Sequence, residues 1–175
     1  MRLNPYGEDP VRLATSLTTS PPLTAEELTA RCVGAGVVLE QAATADDLAE
    51  VNVFLGRWLR VVEASNPQAR AALLNELLAE SSAYPRLTDH AGDGWHIHYR
   101  DYGLPVARLL RALISVGTAL HLTGRGMHRL SRCELTECRN PFADFSRGGQ
   151  QRYCSPTCAN RDAVRRHRAK RALAS

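Results

Sequence analysis

Apolar residues in the first two thirds of the chain recur every three or four positions, which is the spacing of one face of an α-helix. The clearest such row is Leu48, Val51, Leu55, Trp58 and Val62. The most apolar stretch of the chain, from Val106 to Leu122, predicts a helix that is buried in the core. The pattern therefore predicts a mainly helical N-terminal body.

Capping residues mark where three helices of this body begin, including the one that carries the row from Leu48 to Val62. Thr24 and Glu27 have the capping-box spacing, and Thr44 precedes two acidic residues that complement the helix dipole. Asn66 precedes Pro67, which is an N-cap followed by the residue favoured at the first helical position. These residues predict helix starts near positions 24, 44 and 66.

The period changes to two at residues 95–100, where apolar and polar residues alternate as in a half-buried strand. A turn sequence at residues 91–94 makes residues 86–90 the expected partner strand of a β-hairpin. Three histidines fall on this hairpin: His90, His96 and His98. They are either a metal site or the solvent-facing half of an alternating strand, and we favour the second interpretation.

Charge is distributed unevenly along the 175 residues, which carry 22 Lys or Arg, 18 Asp or Glu and a formal net charge of +4. Residues 1–124 contain 10 Arg and 14 Asp or Glu, whereas residues 125–175 contain 12 Arg or Lys and four acidic residues. Four of the five cysteines lie in the same basic segment. We therefore predict two domains, residues 1–124 and residues 125–175.

The cysteines of the basic segment form two close pairs, Cys133 with Cys138 and Cys154 with Cys158. Four residues separate the first pair, three separate the second, and 15 lie between the pairs. This spacing is typical of a tetrahedral zinc site with four thiolate ligands, which leaves no open position for catalysis. We predict one structural Zn²⁺; an iron–sulfur cluster, redox-active pairs and unrelated thiols are the alternatives.

The residues around the second cysteine pair predict the local fold. Residues 141–145 lead into a Ser-Arg-Gly-Gly turn and then to residues 151–153, which predicts a short aromatic β-hairpin. Ser155 and Pro156 have the N-cap and first-residue pattern of a helix, so Cys158 falls in its first turn. A knuckle, a hairpin and a helix in this order are the arrangement of a treble-clef zinc finger.

An arginine-rich helix without a broad apolar face is predicted after Cys158, and its spacing places Arg161, Arg165 and Arg168 on one side. Such a helix on a zinc-stabilised platform suits contacts with DNA phosphates and base edges. We predict DNA contacts from eight residues: Arg152, Asn160, Arg161, Arg165, Arg166, Arg168, Lys170 and Arg171. The alternatives are a solvated basic tail, or a protein-interaction finger whose body senses a small ligand or a protein partner.

The basic segment resembles the CGNR zinc finger. The resemblance rests on Cys133 and Cys138, the Phe-Ala-Asp run at 142–144, the Arg-Tyr-Cys-Ser run at 152–155 and the Cys-Ala-Asn-Arg run at 158–161. Ala159 stands where the name-giving motif has Gly, at a position that we predict to be helical and where Ala is favourable. The body looks like the ABATE domain that usually precedes this finger.

This resemblance implies that the four cysteines bind zinc, that Asn160 and Arg161 are signature residues, and that the protein is a bacterial, stress-linked transcriptional regulator that binds DNA. The predicted fold class is α+β: a mainly helical body with a small β-hairpin, followed by a treble-clef-like zinc finger. No phosphate-binding glycine loop, nucleophile elbow or metalloprotease motif occurs, so we predict no enzymatic activity. No stretch reaches ~20 apolar residues and no secretory signal is evident, so we expect a cytoplasmic protein, which would be nucleoid-associated if it binds DNA.

Overall fold

The computed structural model describes residues 7–89 and 95–173, apart from the side chains of His96 and Leu173. The elements within these ranges are α1 (Glu8–Thr19), α2 (Ala25–Gly34), α3 (Ala45–Glu63), α4 (Pro67–Ser81), β1 (Arg86–Thr88), β2 (His96–His98), α5 (Val106–Arg125), β3 (Leu130–Arg132), β4 (Pro141–Ala143) and α6 (Pro156–Leu173). Six helices and two small antiparallel hairpins confirm the predicted α+β class.

The core is built around α5, on which α1, α3 and α4 pack. Trp58 of α3 is fully buried, and its indole Nε1 donates a hydrogen bond to Thr118 Oγ1 of α5 at 2.9 Å. Of the helices that the structure describes, α5 has the length and hydropathy to cross a bilayer, which corrects the expectation that no such stretch exists. Its apolar character is explained by burial, because 72% of that stretch lies inside the protein.

The three predicted helix starts are confirmed. Thr24, Thr44 and Asn66 each accept a hydrogen bond from a backbone N–H in the first turn of α2, α3 and α4, respectively. Asp47 completes a capping box with Thr44, and its second carboxylate oxygen accepts from the backbone N–H of Ala107 at 2.9 Å. The same side chain therefore caps α3 and joins it to the start of α5.

The sequence pattern does not predict α1, which begins after Gly7 without a side-chain cap. Its place in the fold comes from tertiary packing, because it buries Val11 and Leu17 completely. It crosses α5 at Gly117, where an added Cβ would lie 2.6 Å from the Cβ of Pro10. A glycine at this position is therefore required for the close approach of the two helices.

The first hairpin pairs β1 with β2 in antiparallel register, with Leu87 opposite Ile97. Alternation predicts that the apolar side of residues 95–100 is half-buried, and this prediction is wrong. Of the apolar residues in this range, Trp95 is 75% exposed and Ile97 is 46% exposed. Alternation shows which residues share a face of the strand, but only the tertiary structure decides whether another layer covers that face.

The second hairpin pairs β3 with β4, with Leu130 opposite Ala143. The predicted hairpin between residues 141–145 and 151–153 is wrong, because residues 144–155 contain no strand. The knuckle between the first two cysteines instead turns β3 back onto β4. The knuckle and the helix of the predicted treble clef are therefore present, without the hairpin expected between them.

The zinc-finger segment and the helical body share one hydrophobic core. Leu130 of β3 and Ala143 of β4 belong to the same buried cluster as the core residues of α1, α3 and α5. Arg132 adds an ion pair to Glu63 at the end of α3, with its Nη2 2.6 Å from Oε1. The boundary between residues 124 and 125 stays a prediction, but residues on both sides of it pack together.

His121 lies at this junction and is fully buried. Its Nε2 is 3.3 Å from the carbonyl oxygen of Arg129 and donates to it, and its ring packs edge-on against Phe145. Within the described residues its Nδ1 has no hydrogen-bond partner. Burial lowers the pKa of His121, so the folded protein holds a neutral imidazole.

A His121→Gln variant is expected to be less sensitive to acid than the wild type. As the pH falls below about 6.5, the unfolded chain takes up a proton on His121 that the folded chain excludes, so wild-type stability decreases. Gln can still donate to the Arg129 carbonyl but does not titrate. The slope of the unfolding free energy against pH should therefore decrease by up to about 1.4 kcal/mol per pH unit, measured by denaturant titration. Equal slopes for the two proteins would show that His121 is not the titrating group.

Candidate metal centre and basic helix

The first cysteine pair is held by the knuckle that follows β3. The backbone N–H of Cys133 donates to the carbonyl of Asn140 at 2.8 Å, and that of Cys138 donates to the carbonyl of Leu135 at 2.9 Å. Arg139 has a positive φ of 53°, which completes the tight turn back toward β4. The knuckle thereby brings both thiols to the same side of the chain.

The second pair is positioned by the start of α6. Ser155 is the predicted N-cap, and its Oγ accepts from the backbone N–H of Cys158 at 3.2 Å. Cys154 comes just before this cap, and Cys158 is the third residue of the helix. A thiolate in the first helical turn is stabilised by the positive end of the helix dipole.

The four sulfur atoms converge, and all of them lie within 4.8 Å of one another. The Sγ of Cys154 is 3.6 Å from that of Cys138 and 3.7 Å from that of Cys158. Four sulfurs that bind a single Zn²⁺ tetrahedrally at about 2.3 Å are about 3.8 Å apart, so the arrangement fits zinc. Cys133, Cys138, Cys154 and Cys158 therefore form the site of one structural zinc ion.

The protonation of these thiols explains why the cluster needs a cation. Burial and the neighbouring thiols raise the pKa of Cys154, and burial also raises that of Cys138. The hydrogen bond with Ser155 lowers the pKa of Cys158. Four thiolates this close together repel one another, and a divalent ion that displaces their protons relieves that repulsion.

The loop between the cysteine pairs is organised by Asp144, which is 2% exposed. Its two carboxylate oxygens accept from the backbone N–H groups of Ser146 at 2.8 Å and Gln151 at 2.9 Å. Burial acts to raise the pKa of Asp144, but these hydrogen bonds and the charge of Arg129 together lower it. Asp144 thus holds residues 146–151 as a loop where the sequence predicts a hairpin.

An Asp144→Ala variant is expected to lose about 2–4 kcal/mol of unfolding free energy, because two backbone N–H groups and Arg129 lose a buried carboxylate. Denaturant titration of the zinc-loaded protein measures this loss. Asp144→Asn keeps one acceptor oxygen and should lose less. Unchanged stability of the Ala variant would mean that the loop does not depend on Asp144.

The basic helix α6 leaves the surface of the protein after its first two turns. Cys158 and Asp162 are buried, whereas every residue from 163 to 172 is exposed. Asp162 accepts hydrogen bonds from the Tyr153 hydroxyl at 2.6 Å and from Arg165 at 2.6 Å, and Arg166 lies 2.9 Å away. The bond from Tyr153 and the two guanidinium charges lower the pKa of Asp162. Zinc and Asp162 together fix the direction of α6.

The predicted DNA-contacting residues separate into two groups. Arg152, Arg165 and Arg166 form ion pairs with acidic residues of the finger: Glu134, Glu137 and Asp162. In contrast, Arg161, Arg168 and Lys170 have no carboxylate partner among residues 7–89 and 95–173. Asn160 and Arg171 are exposed on the same helix. All eight residues stay predicted DNA contacts. The ion pairs separate those whose charge is already engaged within the finger from those whose charge is not.

Sequence reasoning missed the role of Asp162. It is the one acidic residue in a helix that otherwise carries Arg and Lys, and it follows Cys158 by one helical turn. That isolated acidic residue on the ligand-bearing face was the available signal. The roles of Tyr153 and Glu134 depend on contacts across the loop, which spacing does not reveal.

The histidine hypothesis for the first hairpin stays a prediction. His90 and the side chain of His96 lie outside the described residues. His98 packs against Tyr102, with ring centroids 5.8 Å apart. Of the residues that are described, the four cysteines are the group that could hold a metal ion.

Comparison with known proteins supports the zinc site. Residues 129–171 match the family model described as the CGNR zinc finger, and this range includes all four cysteines and most of α6. A comparison with curated proteins finds no match to the chain. The resemblance of residues 1–124 to the ABATE domain stays a prediction.

Proposed function

We propose that the protein is a zinc-dependent DNA-binding protein that regulates transcription, and that α6 is its DNA-contacting element. The observation that carries the proposal is the exposed run of residues 163–172, which extends from a helix whose base is fixed by the cysteine cluster. Six Arg or Lys and one Asp lie in α6. An α-helix of this kind fits the major groove of B-DNA, which is about 12 Å wide.

The side chains best placed to contact DNA share one side of α6. Asn160, Arg161, Arg168 and Arg171 recur at spacings of one, seven and three residues, which keeps them on one face of a helix. Arg recognises guanine and Asn recognises adenine through paired hydrogen bonds, and both also bind phosphates. This face therefore combines groups for base readout with groups for backbone contacts.

The ion pairs indicate which basic residues contribute most. Arg161, Arg168 and Lys170 can bind a phosphate without first breaking an ion pair. In contrast, Arg165 and Arg166 would have to break their ion pairs with Asp162. Arg152 is likewise paired with Glu134, so its positive charge is already partly neutralised. We assign Arg165 and Arg166 mainly to holding α6 on the finger, and the unpaired residues mainly to DNA.

Binding of the zinc-loaded full chain to labelled random-sequence duplex DNA tests the proposal by fluorescence anisotropy. At ~150 mM salt we expect non-specific binding with Kd of about 1–100 µM, and we expect a zinc chelator to abolish it. A chain that does not bind DNA, or that binds equally well after chelation, would overturn the proposal. The first of these outcomes would favour the alternative of a protein-interaction finger.

A further inference from the structure

A cleft of about 410 Å³ lies in the helical body, away from the cysteine cluster. It is bounded by the end of α4, the segment that follows β2 and the first turns of α5. This volume falls within the range of small-molecule sites, which is about 300–1,000 Å³. None of the zinc ligands or residues of α6 lines it.

Three arginines line this cleft: Arg100, Arg108 and Arg111. The two carboxylates beside them are already engaged from outside the cleft. Glu80 accepts a hydrogen bond from Nη2 of Arg57 at 2.7 Å, and Oδ1 of Asp101 lies 2.8 Å from Nη2 of Arg86. The cleft therefore presents guanidinium groups whose nearest carboxylates are occupied.

Two of the three guanidinium groups lack a carboxylate partner among residues 7–89 and 95–173. Within these ranges, Arg108 is exposed and forms no ion pair, and the side chain of Arg100 donates only to the backbone carbonyl of Asp101 at 3.2 Å. Glu40 lies in the neighbourhood of Arg100 but accepts from the backbone N–H of Gly103. Arg111 is 3.6 Å from Glu80, which it shares with Arg57.

Acidic side chains outnumber basic ones in residues 1–124, so carboxylate partners for arginine are plentiful in this body. Four other arginines of the body find carboxylates: Arg12 pairs with Glu8, Arg31 with Glu27, Arg57 with Glu80 and Arg86 with Asp101. Burial lowers the pKa of Arg100 more than the negative charge of Glu40 raises it, so the partly desolvated guanidinium lacks a full counter-charge. An anion in the cleft would supply that counter-charge.

We propose that this cleft binds a small anion that carries two or more negative charges on phosphate or carboxylate groups. The planar guanidinium group binds both kinds of oxyanion through paired hydrogen bonds, and three of them line one concave site. The lining includes Ser82 and the carboxylates of the rim, so it suits a polar molecule rather than an acyl chain. The proposal is independent of DNA binding, because it concerns residues of the body alone.

Isothermal titration of the full, zinc-loaded chain without DNA tests this site, with inorganic phosphate and succinate in separate titrations at constant ionic strength. We expect saturable binding of at least one of them. Arg108→Gln and Arg100→Gln should each weaken it by about 10-fold or more, since each removes a charge-assisted hydrogen bond. The stronger-binding probe shows whether phosphate or carboxylate is preferred.

Arg60→Gln is the matched control, because Arg60 is exposed on α3 and does not line the cleft. It removes the same charge and should leave binding unchanged. Arg108 is exposed, so its variant should fold even if Arg100→Gln does not, and circular dichroism checks this. Absence of saturable binding for both probes, or equal weakening by Arg60→Gln and Arg108→Gln, would overturn the proposal.

Discussion

Replacing Cys154 and Cys158 together by Ala is expected to abolish zinc binding and to release α6 from the finger. These residues supply half of the ligands, and binding of Zn²⁺ to structural sites contributes on the order of 10–16 kcal/mol. The finger's own apolar cluster around Leu135 and Tyr153 is too small to replace that stabilisation. Atomic emission should show that the zinc content falls from about one ion per chain to about zero.

The helical body should stay folded in this variant, because Trp58 and its neighbours form a core that does not include the cysteine cluster. Cys32→Ala is the matched control. Cys32 is buried in that core, where burial raises its pKa to about 11, and it lies outside the cluster. Full zinc content in the double variant, or loss of zinc in Cys32→Ala, would contradict the four-cysteine site.

Replacing Arg161 and Arg168 together by Gln is expected to weaken DNA binding by about 100-fold and to leave the zinc content unchanged. Each side chain is exposed and one helical face carries both, so each loss removes a charge-assisted contact with a phosphate of about 1.5–3 kcal/mol. A 10-fold loss of affinity corresponds to about 1.4 kcal/mol, so two contacts give the expected effect. Fluorescence anisotropy with the same duplex measures it.

Two comparisons separate specific contacts from a general effect of charge. Arg152→Gln should weaken binding less, because Glu134 already holds that guanidinium. Arg60→Gln, which removes a charge from the exposed surface of α3, should have almost no effect. If Arg60→Gln weakened binding as much as Arg168→Gln does, the positions of the arginines on α6 would not matter.

The zinc ligands were predictable from sequence because a metal site restricts spacing. Two close cysteine pairs and a Ser-Pro helix start are local features, and each acts within about one helical turn. The caps at Thr24, Thr44 and Asn66 were predictable for the same reason. Wherever one short segment contains all the groups that interact, its sequence suffices.

The rest depended on contacts between distant segments. The segment after β4 has the aromatic pattern of a hairpin, but buried Asp144 takes its backbone N–H groups and keeps it a loop. Helix α1 lacks a capping side chain and is stabilised by burial against α5. Leu130 packs in the core of the body, although it follows the predicted domain boundary at residue 125, where charge and cysteine content change. Spacing alone shows none of these effects.

The face of the basic helix is an intermediate case. Helical spacing places Arg165 with Arg161 and Arg168, and this grouping by position is sound. The ion pairs of Arg165 with Asp162 and Glu137 require the folded finger, and they give this residue a different role from its neighbours. Sequence therefore predicts where the charges lie, and the structure shows which of them are available.

The salt dependence of duplex-DNA affinity tests the assignment of α6 most directly. Four basic residues extend along its exposed part: Arg161, Arg168, Lys170 and Arg171. Each phosphate that they neutralise contributes about −0.9 to the slope of log affinity against log salt concentration, so the zinc-loaded chain should give about −3 to −4. The slope should become about two units shallower in the Arg161→Gln, Arg168→Gln variant. A slope near zero, or an equal slope in the variant, would contradict the assignment.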